Sequence, residues 1–180
     1  ETAIREVERA IVRYGEPGRR SSVFRMRKKK RAAIFGSGLF PLFLAGELEK
    51  KMYPATIYCQ EKDYEAYIAA AAPELLESDR KNEVKRLSSM DLSFEFGCSL
   101  DLPFIRAKMK EADVVCASEE VAKKLAPEET ADAEIMLREQ AGIVSGPVRS
   151  VMDAAFAAKR AALTVDLLVP VSYTHLTLPT

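Results

Sequence analysis

Histidine is almost missing from this sequence: the only one is His175, in the stretch VSYTHLTLPT that forms residues 171–180. That stretch reads as the translated remnant of a sequencing adapter and is set aside from fold reasoning. Without it no histidine remains for proton transfer, for activating a nucleophile or for binding a metal, so histidine-dependent chemistry is not expected. Net charge is also missing, since Lys+Arg and Asp+Glu balance at 27 each. A nucleic-acid binder or a carrier of acidic ligands is therefore not suggested by charge. No apolar run reaches the roughly eighteen residues that a membrane-spanning helix needs. Cys59, Cys98 and Cys116 are odd in number and show no CxxC spacing. A disulfide framework, or a complete zinc or iron–sulfur site within these residues, is not expected, and the setting they imply is a reducing cytoplasm.

What is present suits one hydrophobic core. The chain has 180 residues, 48% hydrophobic and 30% charged, which is the scale of a single domain. Residues 1–29 read as an N-terminal helix and a basic linker, and residues 30–170 as the domain proper. Ile4, Val7, Ala10 and Ile11 recur at helical spacing in residues 2–14, and Gly15, Pro17 and Gly18 end that pattern. Residues 19–31 carry eight positive charges in thirteen positions. They form a solvated linker before a buried strand, with a polyanion-binding patch or a face for an acidic subunit as the other options.

From residue 31 onward strands and helices alternate. Short apolar runs at 31–35 (RAAIF), 55–59 (ATIYC) and 113–117 (DVVCA), with the alternating run 92–96 (LSFEF), predict strands. Helices are expected at 36–51 after a turn, 63–72, 75–87, 104–111 behind Pro103, 119–125 and 148–168, with an acidic loop at 127–132. In the first of these, Leu39, Leu42, Phe43 and Leu48 are the expected apolar positions. This alternation predicts an α/β fold: a Rossmann-like three-layer domain with a mainly parallel sheet, preceded by the N-terminal helix.

The pattern that carries chemistry is Gly36-Ser37-Gly38, placed between a strand and a helix within one βαβ unit over residues 30–59. The first glycine permits a tight turn, and the second lets backbone approach a pyrophosphate. The helix N-terminus then offers free N–H groups to the phosphate charge. Two positions depart from the usual pattern. Pro41 stands where a third small residue commonly lets helix and strand pack closely. Cys59 ends the second strand, where an acidic residue would bind a ribose hydroxyl; Glu61, two residues on, can take that part. A thiol is not a charged acceptor at neutral pH unless its pKa is lowered.

Three segments in order, IREVERAIVRYG (4–15), RAAIFGSGLFPLFLAGELEKK (31–51) and GIVSGPVRSVMDAAFAAKRAALTVD (142–166), resemble the small subunit of glutamate synthase and its relatives. The resemblance implies an FAD-dependent NAD(P)H oxidoreductase module, with FAD as cofactor and a redox partner domain or subunit. Iron–sulfur clusters would lie outside these residues. Cofactor contacts are expected at Gly36, Ser37, Gly38, Cys59, Glu61, Gly146 and Pro147. In the family an aspartate follows a Gly-Gly pair in the last segment, and Gly142 takes its place here. A second, NAD(P)H-binding Rossmann domain normally separates the FAD segments, yet only about eighty residues lie between Cys59 and Gly142, with no second GxGxxG.

Two further readings stay open: a non-catalytic Rossmann scaffold that mediates subunit contacts, and a small NAD-binding dehydrogenase. The last is disfavoured by the lack of native histidine and of a Tyr-xxx-Lys pair. Catalytic residues are not identified, and no metal site, nucleic-acid partner or membrane association is expected. The carboxylates Glu119, Glu120, Glu128, Glu129, Asp132 and Glu134 read as a solvated acidic face, and Cys98 and Cys116 as buried structural thiols.

Overall fold

The computed structural model describes residues 28–90, 92–125, 142–145 and 148–169. The expected N-terminal helix, most of the basic linker, the acidic loop at 127–132, Gly146, Pro147 and the tail at 171–180 lie outside the described residues.

Four-residue strands β1 (Ala32–Phe35) and β4 (Val114–Ala117) are buried along their whole length, as continuous apolar runs in a parallel sheet must be. With β2 (Ala55–Tyr58), β3 (Ser93–Glu95) and β5 (Gly142–Val144) they form one sheet of order β3-β2-β1-β4-β5, every pair parallel. This is the expected Rossmann-like α/β fold. The chain runs outward from β1 to β3, then returns to the other side of β1 to make β4. That reversal leaves a crevice at the carboxyl ends of β1 and β4, where open α/β sheets take their ligands.

Alternation along each strand sends side chains to two cores. Ala32, Ile34, Ile57, Val114 and Cys116 face one layer, built from α1 (Leu39–Lys50), α2 (Tyr64–Ala71), α3 (Glu77–Ser89) and α6 (Val151–Leu168). Ala33, Phe35, Tyr58, Val115 and Ala117 face α4 (Leu102–Met109) and Val121 of α5 (Glu119–Leu125). Helix α1 is buried at Phe40, Pro41, Leu44, Ala45 and Leu48. Its core face is therefore rotated from the one expected, with Leu39, Leu42 and Phe43 only half-buried. The reason is that α1 lies between the sheet and α6. The small residues Ala154, Ala158, Ala161 and Ala162 let α6 pack closely from that side. Pro41, at the third helical position, needs no intrahelical N–H bond, and its ring fills core space in place of a glycine.

Strand β5 was not expected from the sequence, because three residues beginning with glycine carry too little pattern. Helix α6 begins three residues later than expected, at Val151, where the Ser150 hydroxyl accepts from the Asp153 N–H at 3.1 Å. Asp63 and Asp101 cap α2 and α4 in the same way, and Pro103 sits inside the first turn of α4.

At the opposite end from the crevice, Asp166 of α6 holds three side chains together. Its carboxylate accepts from Lys28 at 3.2 Å, from Tyr53 at 2.8 Å and from Lys51. Burial alone would raise its pKa, but these hydrogen bonds outweigh that and hold the carboxyl down at about 2. A depressed acid stabilises the fold above its unfolded value of 3.8, and that contribution disappears as pH falls through the folded value. Asp166→Ala is accordingly expected to cost about 1–2 kcal/mol near neutral pH, discounted because the carboxylate is one-third exposed. The gap between wild type and variant should close between pH 4 and pH 2, and urea unfolding across that range measures it.

Candidate functional site

The turn after β1 is shaped by two glycines that the fold uses differently. Gly36 has φ +127°, and its N–H donates to the Tyr58 carbonyl at 3.1 Å, prolonging the ladder beyond the strand. A Cβ on Gly36 would lie 2.4 Å from Ser118 Oγ and 3.0 Å from Ser118 Cβ, so any side chain there would collide with the end of β4. Gly38 has φ +99°, and a Cβ there would meet nothing within 4 Å. The first glycine lets the turn pack against the end of β4, and the second faces open space.

Helix α1 starts on Gly38 with no side-chain cap and no acidic residue in its first turn. Its first N–H groups therefore keep their hydrogen-bonding capacity and their share of the helix dipole. They border a cavity of about 500 Å³ at the carboxyl end of the sheet. Ser37 and Gly38 of the turn line it, with Ser118 and Ser145 directly beyond β4 and β5, and Arg149 and Ser150 at the start of α6. Lys123 and the carboxylates Glu74, Glu119 and Glu120 also line it. The starts of three helices, α1, α5 and α6, thus meet one cavity.

A second cavity of about 240 Å³ adjoins the first and shares Ser37, Gly38, Ser118 and Glu120 with it. Glu61 lines it and accepts a hydrogen bond from Ser37 Oγ at 2.5 Å, so the turn and the residue beyond β2 are tied together. The Tyr67 hydroxyl, on fully buried α2 side-chain surface, donates to the Gly38 carbonyl at 2.8 Å and fixes the turn from below.

Of the expected cofactor contacts, Gly36, Ser37, Gly38 and Glu61 come together here. Cys59 does not join them. It is completely buried in the core, its thiol faces the Glu95 carbonyl, and burial, followed by the Glu61 charge, pushes its pKa up to about 12. It lines neither cavity. Gly146 and Pro147 are outside the described residues, although their neighbours Ser145 and Val148 line the larger cavity. Cys116 is buried as expected, while Cys98 is half-buried. Phe40 is core, and Phe43 packs against it. The described residues contain no group of three or more His, Cys, Asp or Glu that could hold a metal.

Sequence reasoning missed Ser118, Ser145 and Tyr67. The two serines directly follow apolar strands, at the strand ends where ligand contacts cluster, and that position was the available signal. Tyr67 gives none, because a tyrosine at core spacing looks the same with or without a partner for its hydroxyl.

Comparison of the chain with protein-family models and with curated proteins finds no match. Fold and site together define a class: a Rossmann-like parallel α/β domain with a glycine turn at its topological switch point. Among the described residues no helix is long and apolar enough to cross a membrane.

Proposed function

We propose that this domain is the FAD-binding module of an NAD(P)H-linked oxidoreductase resembling the glutamate synthase small subunit, acting in the cytoplasm with a redox partner domain or subunit. The observation that carries the reading is the uncapped N-terminus of α1, set behind Gly36 and Gly38 and open to a cavity of about 500 Å³. A pyrophosphate suits that place, since N–H groups and a positive helix end favour anionic oxygens without a dedicated cation. The open space over Gly38 is the close-approach position that a phosphate requires. Glu61, steadied by Ser37, would hold the adenosine ribose, and the start of α6 with Arg149 would face the remainder of the dinucleotide. When bound, the isoalloxazine ring supplies the electron-transfer chemistry, and the protein contributes position and electrostatics.

FAD added in excess to the full chain is expected to remain bound through gel filtration, with the visible absorption bands of a flavoprotein. Protein that stays colourless at saturating FAD overturns this reading in favour of a second one: a non-catalytic scaffold making subunit contacts within a larger redox complex. One feature favours that second reading. Met152, Phe156, Leu163 and Leu167 lie on one side of α6 and are 57–82% exposed, an apolar set that a subunit contact would cover.

A further inference from the structure

We propose that residues 4–14 of this chain, IREVERAIVRY, dock as a helix on the outward side of α6 and cover Met152, Phe156, Leu163 and Leu167. The proposal is independent of the dinucleotide reading, and it competes with the scaffold reading for the same side chains.

At 3.6 residues per turn these four side chains fall within about 60° of one another around α6, opposite the core-facing Ala154, Ala158, Ala161 and Val165. Each is more than half exposed, and none packs into either core among the described residues. Beside the middle of this face stand Lys159 and Arg160, both exposed and neither in an ion pair with a described residue. A second copy laid in register on the same face would bring its own Lys159 and Arg160 against this pair, and like charges in contact repel. The fitting occupant is an apolar stripe bordered by a carboxylate.

Residues 4–14 have that pattern. On a helix, Ile4, Val7, Ile11 and Tyr14 share one side within about 80°, Glu8 borders it next to Ile4, and Arg5, Arg9 and Arg13 lie opposite. Glu8 can then meet Lys159 or Arg160. The connection also suits. Lys28 is bonded to Asp166 at 3.2 Å, so the chain meets α6 beside Leu167 and three residues from Leu163. Residues 15–27 span up to about 45 Å when extended. That exceeds the length of α6, about 27 Å for its 18 residues, so the segment can lie along the face in either direction. As a helix it runs about 16 Å, against about 22 Å from Met152 to Leu167. The tether holds it at an effective concentration on the order of millimolar, which favours it over a partner arriving from solution.

The sequence has no tryptophan, so Phe156→Trp in the full chain places a single indole on this face. Its emission is expected to be blue-shifted, weakly quenched by acrylamide and unchanged on dilution. Adding Val7→Asp with Ile11→Asp should move the emission to the red and raise quenching several-fold, as the apolar contact is lost. Val7→Ser with Ile11→Ser should act in the same direction by less, and it replaces the aspartates if they cost the chain its cooperative urea transition. An indole as accessible in Phe156→Trp as in a short peptide overturns the proposal and leaves the face to a partner. So does a blue shift that fades on dilution, the mark of a second copy, or one that survives both substituted pairs.

Discussion

Gly36→Ala is expected to lower the free energy of unfolding by about 3–5 kcal/mol, the largest effect of any single-methyl addition at this site. Two costs combine. An L-residue at φ +127° sits in a region that only glycine adopts freely, and the new methyl must displace Ser118, whose Oγ would be 2.4 Å away. Ser118 cannot retreat cheaply. It is buried, its N–H donates to the Phe35 carbonyl at 3.0 Å, and it follows directly on a fully buried strand. Urea unfolding of the variant measures the sum, and the double variant Gly36→Ala with Ser118→Gly separates the parts. Removing the serine side chain should restore the steric share, and the conformational share should remain. Full restoration by Ser118→Gly would mean that φ at residue 36 carries no strain, contrary to this account.

Gly38→Ala should behave in the opposite manner, with a small effect on stability and a large one on binding. Its Cβ meets nothing within 4 Å, so the expected destabilisation is the backbone strain alone, about 1–2 kcal/mol. The same methyl would project into the mouth where both cavities meet, in front of the first N–H groups of α1. Affinity for FAD, or for ADP as its nucleotide portion, is expected to fall by about a hundredfold or more, as a charge-assisted contact is both displaced and left unsatisfied. Titration of the two proteins, alongside their melting curves, checks this. A Gly38→Ala protein that binds as wild type does would place the phosphate elsewhere and remove the main support for the dinucleotide reading. Two glycines, two residues apart, thus separate folding from binding.

The parallel sheet was legible because buried strands such as AAIF and VVCA have no polar alternation to confuse them, and the helices between them are long enough to show their period. The glycine turn was legible for a related reason: a strand, GxG and a helix occur in order within thirty residues. Strand β5 was not, since Gly-Ile-Val is too short to distinguish from a loop and exists only through its pairing with β4. The face of α1 was misjudged because apolar residues occur all round this helix, and the buried ones, Phe40, Pro41, Leu44, Ala45 and Leu48, lie on the side away from Leu39, Leu42 and Phe43. Cys59 was expected at the ligand from its place at the end of β2, yet it is completely buried in the core, while Glu61, beyond the end of the strand, lines the smaller cavity. Position along the chain does not give the direction of a side chain, and that direction decides which residue lines the crevice.

The Asp166 cluster bears on how this fold can be joined to others. Lys28, where the described chain begins its approach to β1, and Asp166, at the end of α6, are 138 residues apart in sequence but share an ion pair. Both lie at the amino ends of the strands, and the cavities lie at the carboxyl ends. A partner joined at Lys28 or at the end of α6 would meet the fold on that face, away from both cavities. A short bridge between those two points would close the chain on itself without disturbing the sheet, so new termini could be opened at the exposed Lys110–Glu111 turn. In engineering terms the domain is a plug, with its wiring on one side and its socket on the other.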